Sequence, residues 1–234
     1  MSSTANVCVV IPAAGLGERL GLNTPKAFVN ISNYSLLTLT IKRVLEIDRV
    51  GHIIVAVPNE FKDQALEHID RAIRETERKI PFDVVAGGAT RTDSVKNSLL
   101  ALDPLDTLVL VHDAARPFVP KKVFLDVIEN LDNGSKVVIP VVNVVDTIKS
   151  VENNKVQNTL DRTKLKAVQT PQGFARDVLS EIYANSDLKP TTDDAGLAEL
   201  AGIVVSTVEG SVESFKITTA FDLDVAKSFY EKGK

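Results

Sequence analysis

The sequence predicts an α/β fold, a three-layer sandwich around a mostly parallel sheet with a protruding β-hairpin arm. Three observations predict it. Strand-like and helix-like segments alternate through most of the chain, as in a sheet covered by helices on both faces. The strand segments are short apolar, β-branched runs with no polar face, the pattern of parallel strands buried on both sides. The alternation fails once, across 144–166, where residues alternate, Asn153-Asn154 supplies a turn and no helix period is present.

Each element follows from its residues. Val7 to Ile11 is a buried strand stopped by Pro12. Ser35 to Ile47 carries Leu36, Leu37, Thr40, Ile41, Val44 and Leu45 at helical spacing. Ile53 to Val57 is a strand ended by Pro58, and Asn59 is the expected cap of a charged helix running to about Lys79. Phe82 to Ala86 is a third strand, Gly87-Gly88 turns out of it, and Ser94 to Leu102 is helical. Leu108 to Val111 is a strand ending in His112, Asp113 and Arg116, followed by a helix from Lys121 to Leu131 and a strand from Val137 to Val142. The arm, Val144 to Lys166, has too few apolar residues to bury both faces, so it needs the body or a second subunit to pack on. Helices are then expected at Ala175 to Ala184 and Asp193 to Leu200, and a strand at Ile203 to Val208. A short strand at Ser214 to Ile217 and a closing helix from Phe221 to Tyr230 complete the chain.

With 234 residues and no linker, repeat or low-complexity tract, a single domain spanning 1–234 is expected. A net charge of −4 argues against nucleic-acid polymers or anionic membranes as partners. The single cysteine, Cys8, lies inside a strand, so no intrachain disulfide forms and a reducing, cytoplasmic setting is expected. MSSTAN has no basic region and the apolar run after it is short, so neither a signal peptide nor a membrane span is expected there. His52, His68 and His112 are scattered without metal-ligand spacing, and no zinc site is expected.

The stretch VCVVIPAAGLGERLGLNTPKAF, from Val7 to Phe28, organises the rest. After the strand and Pro12, residues Ala13, Ala14, Gly15 and Gly17 form a loop almost without side chains, which lets a ligand approach backbone N–H groups. Arg19 and Lys26 follow. Exposed amides with two cations at the carboxyl end of a strand make a polyanion site. It is not a Walker A loop, because Gly17 is followed by Glu18 and Arg19 rather than Lys and Ser or Thr. It is not a dinucleotide fingerprint either: the third glycine position is Leu20, and no acid stands about twenty residues on. Downstream, GGATRTDSV places paired glycines before a hydroxyl-rich helix start, in which Thr92 or Ser94 is the expected cap. In VHDAARPF, Asp113 follows an apolar strand. It is placed either to help hold Mg²⁺ beside a triphosphate or to pair with Arg116 in a turn.

PAAGLGERLGLNTPKAF resembles the N-terminal signature of nucleotidyltransferases that activate sugar and polyol phosphates, and HDAARP their cytidylyltransferase signature. Pro12-Ala13-Ala14 and Ala114-Ala115 make the chain most similar to the 2-C-methyl-D-erythritol 4-phosphate cytidylyltransferase family. The ribitol-phosphate enzymes usually have Ala-Gly-Gly and HDAVRP-like forms. The resemblance spans about Val7 to Asp224. It implies a Rossmann-like sandwich, a homodimer with interlocked arms, and Mg²⁺ as cofactor. It further implies CMP transfer from CTP to the polyol phosphate, with ribitol 5-phosphate or a non-catalytic nucleotide-binding role as the alternatives. By the same resemblance, Pro12, Ala13, Ala14, Gly15, Gly17, Asp113 and Ala114 hold CTP, and Gly88, Ala89 and Ser94 meet its base. Ala89 stands where many members carry an acid, so only a backbone contact survives there. Arg19 and Lys26 act on the triphosphate and transition state, and Arg162 and Lys216 on the incoming phosphate. Arg116, Thr147 and Thr170 bind the acceptor. Thr192-Asp193-Asp194-Ala195 also recurs in the family and is expected to serve as a helix cap.

Overall fold

The computed structural model describes residues 6–17, 24–184 and 191–233. Its centre is β1 (Asn6–Pro12), in which Val7 to Ile11 are all buried. Successive side chains serve opposite faces: Val7, Val9 and Ile11 enter one core, Cys8 and Val10 the other. Each buried Val or Ile contributes roughly 1.5–3 kcal/mol, so this strand is held from both sides.

A small hairpin of β2 (Asn30–Ile31) and β3 (Tyr34–Ser35), turning at Ser32, leads into α1 (Leu36–Leu45). Ser35 caps α1 by accepting from the Thr38 amide. There follow β4 (Val50–Val57), α2 (Lys62–Thr76), β5 (Phe82–Ala86), α3 (Arg91–Leu99), β6 (Asp106–Val111), α4 (Lys121–Asp132) and β7 (Val137–Asn143). Beyond the arm strands β8 (Lys149–Glu152) and β9 (Lys155–Thr159) come β10 (Lys166–Val168) and β11 (Gln172–Ala175). The chain closes with α5 (Arg176–Ala184), α6 (Asp194–Leu200), β12 (Val205–Glu209) and α7 (Ala220–Lys232).

The main sheet runs β10-β7-β11-β6-β1-β4-β5, with β12 also on β7. The pairings of β5, β4, β1 and β6 are parallel, as is β12 with β7, whereas β10 and β11 run antiparallel to their neighbours. Helices α1, α2 and α4 cover one face; α3, α5 and α6 cover the other. A third cluster joins Val29, Leu36 and Phe118 to Ile217 and Ala226, fastening α7 to the side of the body. No helix among the described residues is long and apolar enough to cross a membrane.

The structure corrects several local expectations. Asn59 does not cap α2: it opens a 3-10 turn, Asn59–Phe61, in which the Phe61 amide donates to the Pro58 carbonyl at 2.9 Å, so the backbone satisfies that donor. Helix α3 begins at Arg91, before Ser94. Thr90, not Thr92 or Ser94, is its cap, in a reciprocal capping box with Asp93. Ser214 to Ile217 is not a strand; Val212–Ser214 is a 3-10 turn whose Glu213 amide donates to the Ser211 hydroxyl.

The arm turns at Asn153 and Asn154, with φ of 51° and 61°, the left-handed pair that a two-residue hairpin turn needs. Every residue from 151 to 164 is exposed. Both arm faces therefore lie open, including Val151 and Val156.

Candidate active site at the carboxyl end of the sheet

The loop after β1 is tied down at both ends. The Ala13 amide donates to the Ala56 carbonyl at 2.7 Å, and the Lys26 amide to the Gly15 carbonyl at 3.1 Å. Gly17, at φ 64°, passes so close to Lys26 that an added Cβ would lie 2.9 Å from the Lys26 Cβ. Only glycine lets the loop close there. Lys26 starts the 3-10 turn Lys26–Phe28 directly after Pro25, with Ala27 and Phe28 buried behind it. The backbone thus aims this cation from a fixed base.

A second wall comes from the turn after β5. The Gly87 amide donates to the Val57 carbonyl at 2.7 Å, and a Cβ on Gly87 would stand 2.3 Å from the Ala14 Cβ. The two loops touch, and small residues on both make that possible. The Ser94 hydroxyl accepts from the Gly88 amide at 3.0 Å and donates to the Thr90 carbonyl at 2.9 Å. It therefore fixes the shape of the turn.

Between these walls and the segment after β6 lies a cavity of about 340 Å³. Of the residues singled out from the sequence, Pro12 to Gly15, Gly17 and Lys26 line its first side. Gly88, Ala89 and Ser94 line the second, and Asp113, Ala114 and Lys216 the third. A neighbouring cleft of about 670 Å³ backs onto the same glycine loops and is floored by Pro58, Asn59 and Glu60.

Asp113 dominates the electrostatics. Its Oδ1 lies 3.2 Å from Arg91 Nε, and its Oδ2 lies 2.8 Å from Lys216 Nζ and 3.8 Å from Arg116 Nε. Burial alone would raise its carboxyl, but Arg91, Lys216 and Arg116 together hold it well below the usual carboxylate range. The pairing with Arg116 foreseen from the sequence is the weakest of the three. Behind it, His112 is fully buried, edge-on to Phe124, and burial pushes its imidazole down to about 3, so it is neutral.

The remaining sequence candidates fall elsewhere. Arg19 lies outside the described residues. Arg116 stands behind the cavity, with Nη1 donating to the Ser214 carbonyl at 2.5 Å. The buried Thr170 hydroxyl accepts from the Asp113 amide at 3.1 Å and shares a hydrogen bond with His112 Nδ1 at 2.9 Å, which makes it a strut beneath Asp113. Thr147 and Arg162 are exposed on the arm, where Arg162 Nη1 donates to the Val145 carbonyl at 2.5 Å. Within one chain, neither lines the cavity. Conversely, Arg91 lines it and was passed over as a site residue. Its signal was present, as the arginine inside GGATRTDSV.

Among the described lining residues Asp113 is the one carboxylate. A single carboxylate suits a Mg²⁺ that brings phosphate oxygens with it, rather than one caged by protein alone. Asp113 Oδ2, which Lys216 holds at 2.8 Å, is the hard oxygen donor such a cation would use. Elsewhere, Cys8, His52 and Asp106 place their ligand-type atoms within 4.8 Å of one another, at the opposite end of the sheet. There His52 Nδ1 is 2.7 Å from Asp106 and Nε2 is 2.9 Å from Asp83, so its ring nitrogens are already engaged.

Comparison with known proteins agrees with this geometry. A family model described as 2-C-methyl-D-erythritol 4-phosphate cytidylyltransferase matches residues 7–232. A relative of that name from Saccharopolyspora erythraea is 45% identical over 228 residues, covering 95% of this chain and 98% of the relative. Another, from Rhodococcus jostii, is 42% identical, covering 97% and 96%. The crystal structure of the enzyme of that name from Thermus thermophilus superposes with a TM-score of 0.77 at 33% identity, covering 97% of this chain and 99% of the other. The 4-diphosphocytidyl-2C-methyl-D-erythritol synthase of Anaerococcus prevotii superposes with a TM-score of 0.84 at 27% identity, covering 97% of each.

Proposed function

The chain belongs to the 2-C-methyl-D-erythritol 4-phosphate cytidylyltransferase family, and from that premise we propose how its residues share the work. The reaction transfers CMP from CTP to 2-C-methyl-D-erythritol 4-phosphate, releasing pyrophosphate and giving 4-diphosphocytidyl-2-C-methyl-D-erythritol for isoprenoid synthesis. The observation that carries the reading is that Lys26 and Lys216, far apart in sequence, line one cavity with two amide-rich loops.

An oxygen of the acceptor phosphate attacks the α-phosphorus of CTP in line with pyrophosphate. A phosphate monoester is already mostly a dianion at neutral pH, so no general base is needed. The barrier is the meeting of two anions and the charge on the five-coordinate centre, which fixed cations lower. Lys26 faces the triphosphate, the role the family resemblance also gives Arg19; Lys216 receives the acceptor phosphate; the loops at Ala13 to Gly17 and Gly88-Ala89 hold the nucleotide. Asp113 is the protein ligand we assign to Mg²⁺. When bound, the ion neutralises phosphate charge and orients the leaving group. Arg116 and Thr170 support the acceptor side through Asp113.

The exposed arm, 144–166, is the dimerisation element of this single domain, and we assign Thr147 and Arg162 to the partner's acceptor site. A cytoplasmic setting suits the lone buried thiol. The test is a pyrophosphate-release assay with CTP and a panel of polyol phosphates. Turnover is expected with 2-C-methyl-D-erythritol 4-phosphate; equal or better use of ribitol 5-phosphate would overturn the assignment. For the arm, Lys26→Ala and Arg162→Ala chains, each inactive alone, should complement in mixed dimers. Random pairing restores roughly a quarter of wild-type activity. Mixed dimers no better than the sum of the two variants would eliminate the shared site.

A further inference from the structure

The segment Thr192-Asp193-Asp194-Ala195 holds two acids with separate tasks. Asp193 caps α6, its Oδ1 accepting from the Gly196 amide at 3.1 Å. Asp194 takes no part in that cap and is 1% exposed, a costly place for a carboxylate unless it is paired. Its Oδ2 receives Arg91 Nη1 at 2.6 Å, and its Oδ1 receives the Tyr183 hydroxyl. The other edge of the same guanidinium gives Nε to Asp113 Oδ1 at 3.2 Å, leaving Asp113 Oδ2 to Lys216 at 2.8 Å. A planar guanidinium gripped on two edges cannot turn. The start of α6 is also locked to the Asp113 segment by Gln172. Its Nε2 donates to Asp193 Oδ2 at 2.7 Å, and its Oε1 accepts from the Ala195 amide at 3.0 Å. Gln172 lies two residues beyond Thr170, whose hydroxyl holds the Asp113 amide.

We propose that Asp194 is a positioning residue of the transfer reaction: through Arg91 it fixes Asp113, and through Asp113 the resting place of Lys216. The inference rests on the functional reading above. The nucleotide loops are held by their own hydrogen bonds, at Ala13, Gly87 and Gly88. Loss of Asp194 therefore acts through Asp113, on Lys216 and on the carboxylate assigned to Mg²⁺, rather than by loosening those loops.

The test is steady-state kinetics of full-length Asp194→Asn, corrected for folded fraction by calorimetry, varying CTP and 2-C-methyl-D-erythritol 4-phosphate separately. By analogy with removal of outer-shell partners, kcat/KM should fall about 10- to 100-fold, for the acceptor through Lys216 and for CTP through Asp113 as the assigned Mg²⁺ ligand. In an Asp113→Asn background the same substitution should have no further effect. Tyr183→Phe keeps both charges, should show a smaller loss of the same kind, and carries the test if Asp194→Asn folds poorly. An equal loss in the Asp113→Asn background, or a loss fully explained by folded fraction, makes Asp194 merely structural and overturns the proposal. Absence of wild-type turnover with this acceptor would sink the functional reading instead.

Discussion

Strand β6 carries a buried acid at each end, and the two keep different company. Asp106, fully buried at its start, takes His52 Nδ1 at 2.7 Å, Asn6 Nδ2 at 2.9 Å and the Asp103 amide at 2.9 Å. Asp113, just past its end, faces Arg91, Arg116 and Lys216, and the Lys216 side chain is 41% exposed. The Asp106 carboxylate is held by short side chains and a backbone amide, so the network ties β1, β4 and β6 together. Its neighbour Cys8 has a thiol that burial pushes up, leaving it inert. Around Asp113 the partners are long cations at a cavity rim, able to exchange a carboxylate for a phosphate. Burial alone does not separate a structural acid from a working one. The length and exposure of its partners do.

The largest effect should come from the closed end. Asp106→Ala strands His52 and Asn6 and should cost about 3–5 kcal/mol of unfolding free energy, measured in urea, while kcat per folded molecule is retained. A catalytic loss beyond the unfolded fraction would erase the division between the two ends. Next, Lys216→Ala should lower kcat about 100- to 1,000-fold with little change in Tm, because Arg91 and Arg116 still face Asp113. A change confined to KM for CTP would remove Lys216 from the acceptor side.

The third effect is acid lability. His112 titrates near 3 in the folded chain against 6.5 for the free side chain. The unfolded chain therefore binds the proton that the folded one refuses, and stability falls as pH drops through that window, at no more than about 1.4 kcal/mol per pH unit. Asp113 has the opposite chemistry and adds to the same trend. Its depressed carboxyl contributes fully above its ordinary value of 3.8, and that contribution is lost as pH falls below it. Urea titrations of His112→Gln should show a flatter slope between pH 6.5 and 4; an unchanged slope would assign the acid limb to other groups.

What the sequence revealed was mostly local. Val7 to Phe28 could be read because strand, proline, small-residue loop and lysine are consecutive, and each has one physical meaning. The Asn153-Asn154 turn was legible for the same reason. Strand direction was not: apolar periodicity is identical for parallel and antiparallel pairing, so the reversal of β10 and β11 left no trace. Nor could spacing disclose that Arg91 meets both Asp113 and Asp194, or that Cys8, His52 and Asp106 converge, since these contacts join segments scattered along the chain. Lys216 and Arg162 were singled out by resemblance alone. In isolation each reads as a surface charge.

The position of β11 bears on how the protein is made. It lies between β6 and β7 although it is synthesised after both. While the chain emerges, β1, β4, β5 and β6 can pair, but the free edge of β6 has no neighbour until Gln172 to Ala175 arrives. An open apolar edge invites pairing with another nascent chain. The same late strand follows Thr170, which props Asp113, and Lys216 is translated later still. A chain cut short anywhere before Lys216 therefore lacks part of its own cavity wall, and one cut before Gln172 also leaves the β6 edge open, so neither is a partial enzyme.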